Sequence, residues 1–258
     1  MILESKIENG SFAKVGTLFN VMQGARTGLN KVFIVDKQTY NSFSNKEKKY
    51  FRPSIDSTSL RKGKLIKANY IFFPYLENEK ELNNEDDLKN ILPNYYVRYL
   101  KPNKKQLCDR KGIDSNKWWM LTRPRMWQMQ ACPKLVSTEF GKSGNFSFDK
   151  TGEYIVERGC AWFFKNAETV LDEYYAYLAI FNSKIMDYLL LIYSRQLAGG
   201  AWYSLDAKNV EKIPLPILCK IDNELYLTLV EFGLRIVNLE PFNQDELDKV
   251  VSSIYEYE

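Results

Sequence analysis

The chain has 258 residues, 45% of them hydrophobic, a formal net charge of +4 and no histidine, so it can bury a real core but lacks the usual general base near neutral pH. That composition excludes Ser-His and Cys-His triads. No apolar run reaches the roughly 18 to 20 residues that span a bilayer, and the start MILESKIENG lacks the basic and apolar regions of a signal peptide, so the expectation is a cytoplasmic protein with no membrane partner.

In chain order, short strands are predicted at 17–22 and 31–35. Between them GARTGLNKVFIV (24–35) reads as a contact loop, with Gly24 and Gly28 allowing positive φ or close approach of the backbone to another molecule. The loop carries Arg26 and Thr27, and Asn30 and Lys31 add a bidentate amide and a cation before Val32, Phe33, Ile34 and Val35 enter a buried strand. The plainer alternative is a hairpin turn with glycines for geometry and polar residues for solubility. A further strand at 70–73 closes on Pro74. The acidic run ENEKELNNEDD (77–87) reads as a solvated loop leading into a helix at 84–92, stopped by Pro93. YYVRYLKPNKKQLCDRK (95–111) fits a helix as far as Leu100, with Pro102 forcing a break.

Strands are predicted at 134–138, 154–156 and 161–164, separated by turns at Gly141, Gly144, Gly152 and Gly159. LDEYYAYLAIFNSKIMDYLLLIYSRQ has no proline or glycine and predicts one largely buried helix over 171–193. Gly199 and Gly200 then break the chain ahead of Trp202 and Tyr203, flanked by Arg195. This is a second candidate for close approach to a ligand, or else packing at a helix end. After the IPLP turn (213–216), helices are predicted at 223–239 and 244–257, with Asn243 capping the second. The fold class is α+β: a mainly β, basic and aromatic region over 1–165 with a helical region over 166–258 packed on it as one integrated domain. The four cysteines, Cys108, Cys132, Cys160 and Cys219, stand far apart with no CxxC pair, which predicts reduced and mostly buried thiols.

The charges are unevenly spread. Lys46, Lys48, Lys49, Arg52, Arg61, Lys62, Lys64 and Lys67 form one basic stretch, and Arg98 to Arg125 holds a second, whereas the tail from Asp222 is mainly acidic. Interleaved are Tyr50, Phe51, Tyr95, Tyr96, Tyr99, Trp118, Trp119 and Trp127. Cations for phosphates and flat rings for bases suit a nucleic-acid surface; the same composition also suits a lysine-rich surface over an aromatic core. No GxGxxG follows a strand and no Walker loop is present, so no cofactor is expected within this chain.

Several segments, in this order, resemble one family. They are GARTGLNKVFIV from Gly24, FRPSID from Phe51 followed by YIFFPY, PNYYVRYLKPNKKQLCDRK from Pro93 and KWWMLTRPR from Lys117. PKLVST from Pro133, AIFNSKIMDYLL from Ala179, LAGGAWYSLDAKNVEKIPLP from Leu197 and LDKVVSSIY near the end follow. Together they resemble the TaqI-like C-terminal specificity domain, the target recognition domain of adenine-specific DNA methyltransferases and type II restriction-modification enzymes. The resemblance covers most of the chain and implies sequence-specific binding of double-stranded DNA. It also implies a partner, a methyltransferase catalytic domain or subunit that holds S-adenosylmethionine and carries an NPPY-type motif. Here the nearest string is PNYY at Pro93, without the adjacent prolines, so the chemistry is expected in the partner.

On that reading Lys62, Lys64, Lys104 and Lys105 are expected on phosphates. Arg26, Asn30, Arg123 and Arg125 are expected to read base edges, since arginine matches guanine and asparagine matches adenine. Arg195, Trp202 and Tyr203 touch the backbone or fill the space left by a flipped adenine, against core packing for Trp202 and surface ion pairing for Arg123 and Arg125. Two rival classes remain. One is a metal-dependent nuclease, for which no PD…ExK-like cluster is visible; the other is a protein-interaction module with an aromatic and basic surface.

Overall fold

Strand Cys160–Phe164 is the spine of the first of two four-stranded sheets. It pairs antiparallel with Lys134–Ser137 on one side and Phe19–Gln23 on the other, and Phe146–Asp149 extends the sheet beyond Lys134–Ser137. These relations come from a computed structural model that describes residues 2–61, 63–66, 68–75, 81–166 and 168–256. Trp162 lies between Leu135 and Val21 in register, is fully buried, and donates its indole N–H to Ser137 Oγ at 3.0 Å. Helix Leu171–Phe181 covers this sheet, with the Phe181 ring 5.2 Å from Trp162, and helices Asn223–Val237 and Gln244–Tyr255 complete the same core. Buried rings of this size supply most of what holds such a layer together.

The second sheet runs in the order Ile155–Val156, Phe51–Ile55, Asn69–Phe72, Ile34–Val35, with only its outer 155–156 pair parallel. Its core includes Phe43, Phe51, Phe72, Tyr95, Trp118 and Trp119. The mixed sheets and helices are the α+β class that the sequence predicts. Among the described residues no helix is long and apolar enough to cross a membrane.

Several local expectations change. The predicted strand at 31–35 is a helical turn, Asn30–Phe33, followed by a two-residue strand, Ile34–Val35. Val32 N–H donates to Leu29 O at 3.0 Å and Ile34 N–H to Asn30 O, closing one helical turn before the strand begins. Residues 17–22 likewise open with a helical turn, Val15–Leu18, before strand Phe19–Gln23. Asn84 caps helix Glu85–Ile91 through Asp87 N–H at 2.9 Å. Pro93 both ends that helix and starts the next, where its missing N–H costs nothing. Pro102 does not break the path: a π turn, Tyr96–Leu100, passes into a 3-10 turn, Lys101–Asn103, and then helix Lys104–Cys108.

The single helix expected over 171–193 is two, Leu171–Phe181 and Lys184–Tyr193. The Asn182 amide donates back to Leu178 O at 2.8 Å and Ser183 Oγ to Ile180 O at 2.7 Å. Such bonds compete with the helical ladder, and Ser183 turns extended. Strand Phe146–Asp149 was not predicted; all four of its residues are buried. The thiols are free, but only Cys160 is buried; Cys132 and Cys219 are exposed, a correction to the expected burial.

The largest correction concerns the aromatic residues of the basic middle. Tyr50, Phe51, Tyr95, Tyr96, Trp118 and Trp119 are buried, and Tyr99 and Trp127 are half-buried. Tyr95 packs 4.7 Å from Phe72 and 5.0 Å from Phe51, and its hydroxyl donates to Val32 O at 3.1 Å. Apart from Trp127, which packs 5.2 Å from Phe163 of the first sheet, these rings belong to the core of the second sheet rather than to a platform for bases, because burying each removes a large apolar area from water.

Candidate nucleic-acid interface

The chain crosses between the two sheets at two places that run side by side. Residues 24–30 lead from Phe19–Gln23 in the first sheet toward Ile34–Val35 in the second, and residues 157–159 lead back from Ile155–Val156 to Cys160–Phe164. Gly24 N–H donates to Gly159 O at 3.0 Å and Ala25 N–H to Val156 O at 2.8 Å. A Cβ on Gly24 would stand 2.5 Å from Val156 O, while Gly28 has φ of 77°. The two glycines thus meet the two needs read from the sequence, close backbone approach and positive φ.

A third segment joins them. Arg26 and Arg123 form an isolated antiparallel bridge, exchanging backbone hydrogen bonds of 2.8 and 3.0 Å, and Thr122 Oγ1 donates to Arg26 O at 2.8 Å. Arg125 sits at φ 63°, a region that few residues other than glycine adopt. Its Nε donates to Gly24 O at 3.2 Å and its Nη2 to Gln23 Oε1 at 3.1 Å. Arg110 ties the loop down: its guanidinium donates to Thr27 O, to Leu107 O at 3.0 Å and to Met120 O at 2.9 Å. It also lies 4.9 Å from the centre of the Phe33 ring.

Within the loop the polar side chains form a relay. The buried Thr27 hydroxyl donates to Asn30 Oδ1 and accepts from Leu29 N–H at 3.0 Å. Asn30 Nδ2 donates to Glu157 Oε1 at 2.7 Å, and Arg158 Nε lies 3.5 Å from that oxygen. Between these segments lies an open cleft of about 560 Å³, lined by the buried Glu157 and the exposed Arg26 and Arg158. Burial pushes the Glu157 carboxyl above the ordinary carboxylate range, against the Asn30 bond and the Arg158 charge. Burial lowers the Arg125 pKa, with the positive charges of Arg123 and Arg26 adding to the effect. Among the described residues the Arg26 and Arg123 side chains have no hydrogen-bond or ion-pair partner, and both are exposed.

Of the residues singled out in the sequence, Arg26, Thr27, Asn30, Arg123 and Arg125 thus come together. Lys31 is exposed on the adjoining helical turn. Lys104 pairs with Glu85 at 2.6 Å and lies 5.3 Å from the Trp118 ring centre, and Lys105 is exposed on the same short helix. Lys62 lies outside the described residues, as does the Lys64 side chain; the Lys64 backbone is in strand Lys64–Leu65. Arg195, Trp202 and Tyr203 belong to a separate hairpin. Gln196 bridges Tyr203, Leu197 N–H donates to Trp202 O at 2.9 Å, and Gly199 and Gly200 make the turn with φ of 97° and 74°. Trp202 is 44% exposed, so core packing does not account for it. The hairpin is anchored one strand from the cleft, since Tyr203–Ser204 pairs with Phe140–Gly141 and Leu205 N–H donates to Glu139 O at 3.0 Å, Glu139 lining the cleft.

Sequence reasoning missed Glu157, Arg158 and the structural use of Arg110. The signal for the first two was present in VERGC (156–160), where charged residues and a glycine precede an apolar strand, much as the 24–35 loop does. Among the described residues no group of three or more acidic or cysteine side chains is placed to hold a metal ion.

The fold is similar to that within restriction-modification enzymes. The type IIL restriction-modification enzyme MmeI, solved in complex with DNA, matches with a TM-score of 0.61 at 12% identity, over 95% of this chain and 34% of that one. The type IIG restriction endonuclease BpuSI matches with a TM-score of 0.54 at 11% identity, over 98% of this chain and 32% of that one. This chain spans about a third of the length of either structure. No protein-family model matches the chain, and no curated relative does.

Proposed function

We propose that this chain is the DNA target recognition module of a restriction-modification enzyme, TaqI-like and specific for an adenine-containing site. Methylation, and the S-adenosylmethionine it uses, belong to a separate catalytic domain or subunit. The observation that carries this reading is the arginine cluster. Arg26 and Arg123 present guanidinium groups without a partner among the described residues, beside Arg125 at the junction of two sheets, a donor array suited to phosphates and to guanine O6 and N7. The similarity of the fold to an enzyme solved with DNA supports it.

Arg26 and Arg123 read base edges. Arg125, Thr27 and Asn30 hold the loop in shape, and Asn30 spends its amide inside it. Lys31, Lys105 and the lysines at 62 and 64 contact phosphates, with Lys104 contributing less because Glu85 already neutralises it. The hairpin bearing Arg195, Trp202 and Tyr203 makes a second contact with the duplex.

A binding selection on randomised duplex DNA, at low and moderate salt, with the chain alone and with a methyltransferase partner, tests the reading. Enrichment of one short adenine-containing motif is expected. Binding that is absent, or salt-driven without any motif, overturns it.

A further inference from the structure

We infer that Glu157 is a specificity-determining residue whose free carboxylate oxygen accepts from the exocyclic amino group of one base in the target, cytosine N4 or adenine N6. The inference rests on the target-recognition reading above and adds an acceptor beside the guanidinium donors of Arg26 and Arg158.

Glu157 is only 6% exposed, and a carboxylate is costly to bury unless it is used. Its Oε1 is committed to Asn30 at 2.7 Å and faces Arg158 Nε at 3.5 Å. Its Oε2 has no partner among the described residues. Enclosed side-chain atoms without partners are limited, among those residues, to Trp119 Nε1, Trp127 Nε1 and Asn182 Oδ1. Glu157 Oε2 therefore meets the open space, which for this residue is the cleft.

An ionised carboxylate only accepts. It repels phosphate, which also only accepts, so it does not serve the DNA backbone. Among the groups on the floor of the major groove, cytosine N4 and adenine N6 are the donors, and carboxylate to cytosine N4 is one of the recurrent pairings. With the Arg26 and Arg158 guanidinium groups around it, Glu157 makes the cleft complementary to an edge that presents an amino group beside an acceptor.

The relay behind Glu157 makes the idea sharply testable. Thr27 donates to Asn30 Oδ1, which leaves Asn30 Nδ2 facing residue 157. In Glu157→Gln the new side chain keeps that bond through its carbonyl and turns its NH₂ toward the cleft, a donor where an acceptor stood. The expected result, in a selection on randomised duplexes, is a motif unchanged except at one position, where the preference passes from amino to keto base: cytosine to thymine, or adenine to guanine. Which exchange occurs identifies the base. An identical motif in both proteins overturns the inference and leaves the target-recognition reading intact, whereas a wild-type protein that selects no motif overturns both.

Should Glu157→Gln fail to fold, the wild-type chain is titrated with duplexes lacking one amino group at a time, 2-pyrimidinone replacing cytosine and purine replacing adenine. One position is expected to lose roughly 10-fold or more in affinity. Losses under about twofold at every position overturn the inference.

Discussion

Two regions of this protein look alike in composition and differ in what the fold makes of them. The loop at 24–30 and the stretch at 95–119 both mix cations with apolar residues. In the second, the rings of Tyr95, Trp118 and Trp119 are core, Lys104 and Lys117 are paired with Glu85 and Glu81, and Arg110 is spent on backbone carbonyls. In the first, Arg26 stands exposed opposite Arg123, its side chain without a partner among the described residues. A basic and aromatic composition is thus a poor guide to a binding surface, because rings gain most from burial and exposed cations pair readily with nearby carboxylates at little gain. What marks a site is charge left without a partner on a backbone that the fold holds still.

The widest gap between the two regions should appear in stability. Glu47 accepts from Asn94 N–H at 2.8 Å, Tyr95 N–H at 3.0 Å and Ser44 N–H at 3.1 Å, so Glu47→Ala strands three backbone donors at the foot of the aromatic core. Denaturant unfolding is expected to show a loss of about 3 kcal/mol. Burial alone would push this carboxyl up, but the hydrogen bonds from Asn94, Tyr95 and Ser44 outweigh it and hold it below its ordinary 4.5. Its contribution is present above that value and disappears as pH falls through the lower folded-state value, and a wild-type acid-unfolding curve no steeper than that of Glu47→Ala would break the account.

Arg26→Ala and Arg123→Ala should behave oppositely. Each is expected to cost the selected duplex roughly 10-fold or more in affinity with stability changed by less than about 0.5 kcal/mol. Fluorescence anisotropy beside a melting curve separates the two effects, and equal losses in both would erase the contrast.

A smaller effect concerns Glu157. Burial raises its carboxyl pKa; Asn30 and Arg158 oppose the rise and the negative charges of Asp56 and Glu139 add to it. A raised folded-state pKa favours folding below the unfolded value and costs stability as pH rises through the folded one. Glu157→Gln is therefore expected to be more stable than wild type at neutral pH, by roughly 1 kcal/mol, with the advantage vanishing on acidification below about pH 4, where the ordinary carboxylate is protonated. Melting temperatures at a series of pH values check the sign.

Smallest of all, Lys104→Ala removes a half-exposed pair and should cost less than about 1 kcal/mol and under about threefold in DNA affinity. A larger affinity loss would return the 95–119 stretch to the interface.

The elements that were legible in the sequence are those with local causes. Helix Gln244–Tyr255 begins where Asn243 accepts from Asp245 N–H, and helix Glu85–Ile91 begins at Asn84, because a cap and its partner lie within one turn of chain. Gly24 and Gly28 announced a loop for the same reason: their backbone freedom belongs to the residues themselves. The break at Asn182 and Ser183 escaped notice because neither is a helix breaker until its side chain bonds back to the preceding turn.

The sequence by itself determined the α+β composition, the Asn243 cap, the turn at Gly199 and Gly200, and the presence of a glycine loop rich in polar groups. Only the tertiary structure decided which rings are core, that Arg26 meets Arg123, and that Asn30 meets Glu157 across 127 positions of chain. Caps and turns are settled by hydrogen bonds between near neighbours, whereas a side chain's burial and partner depend on which distant segments the whole core brings together.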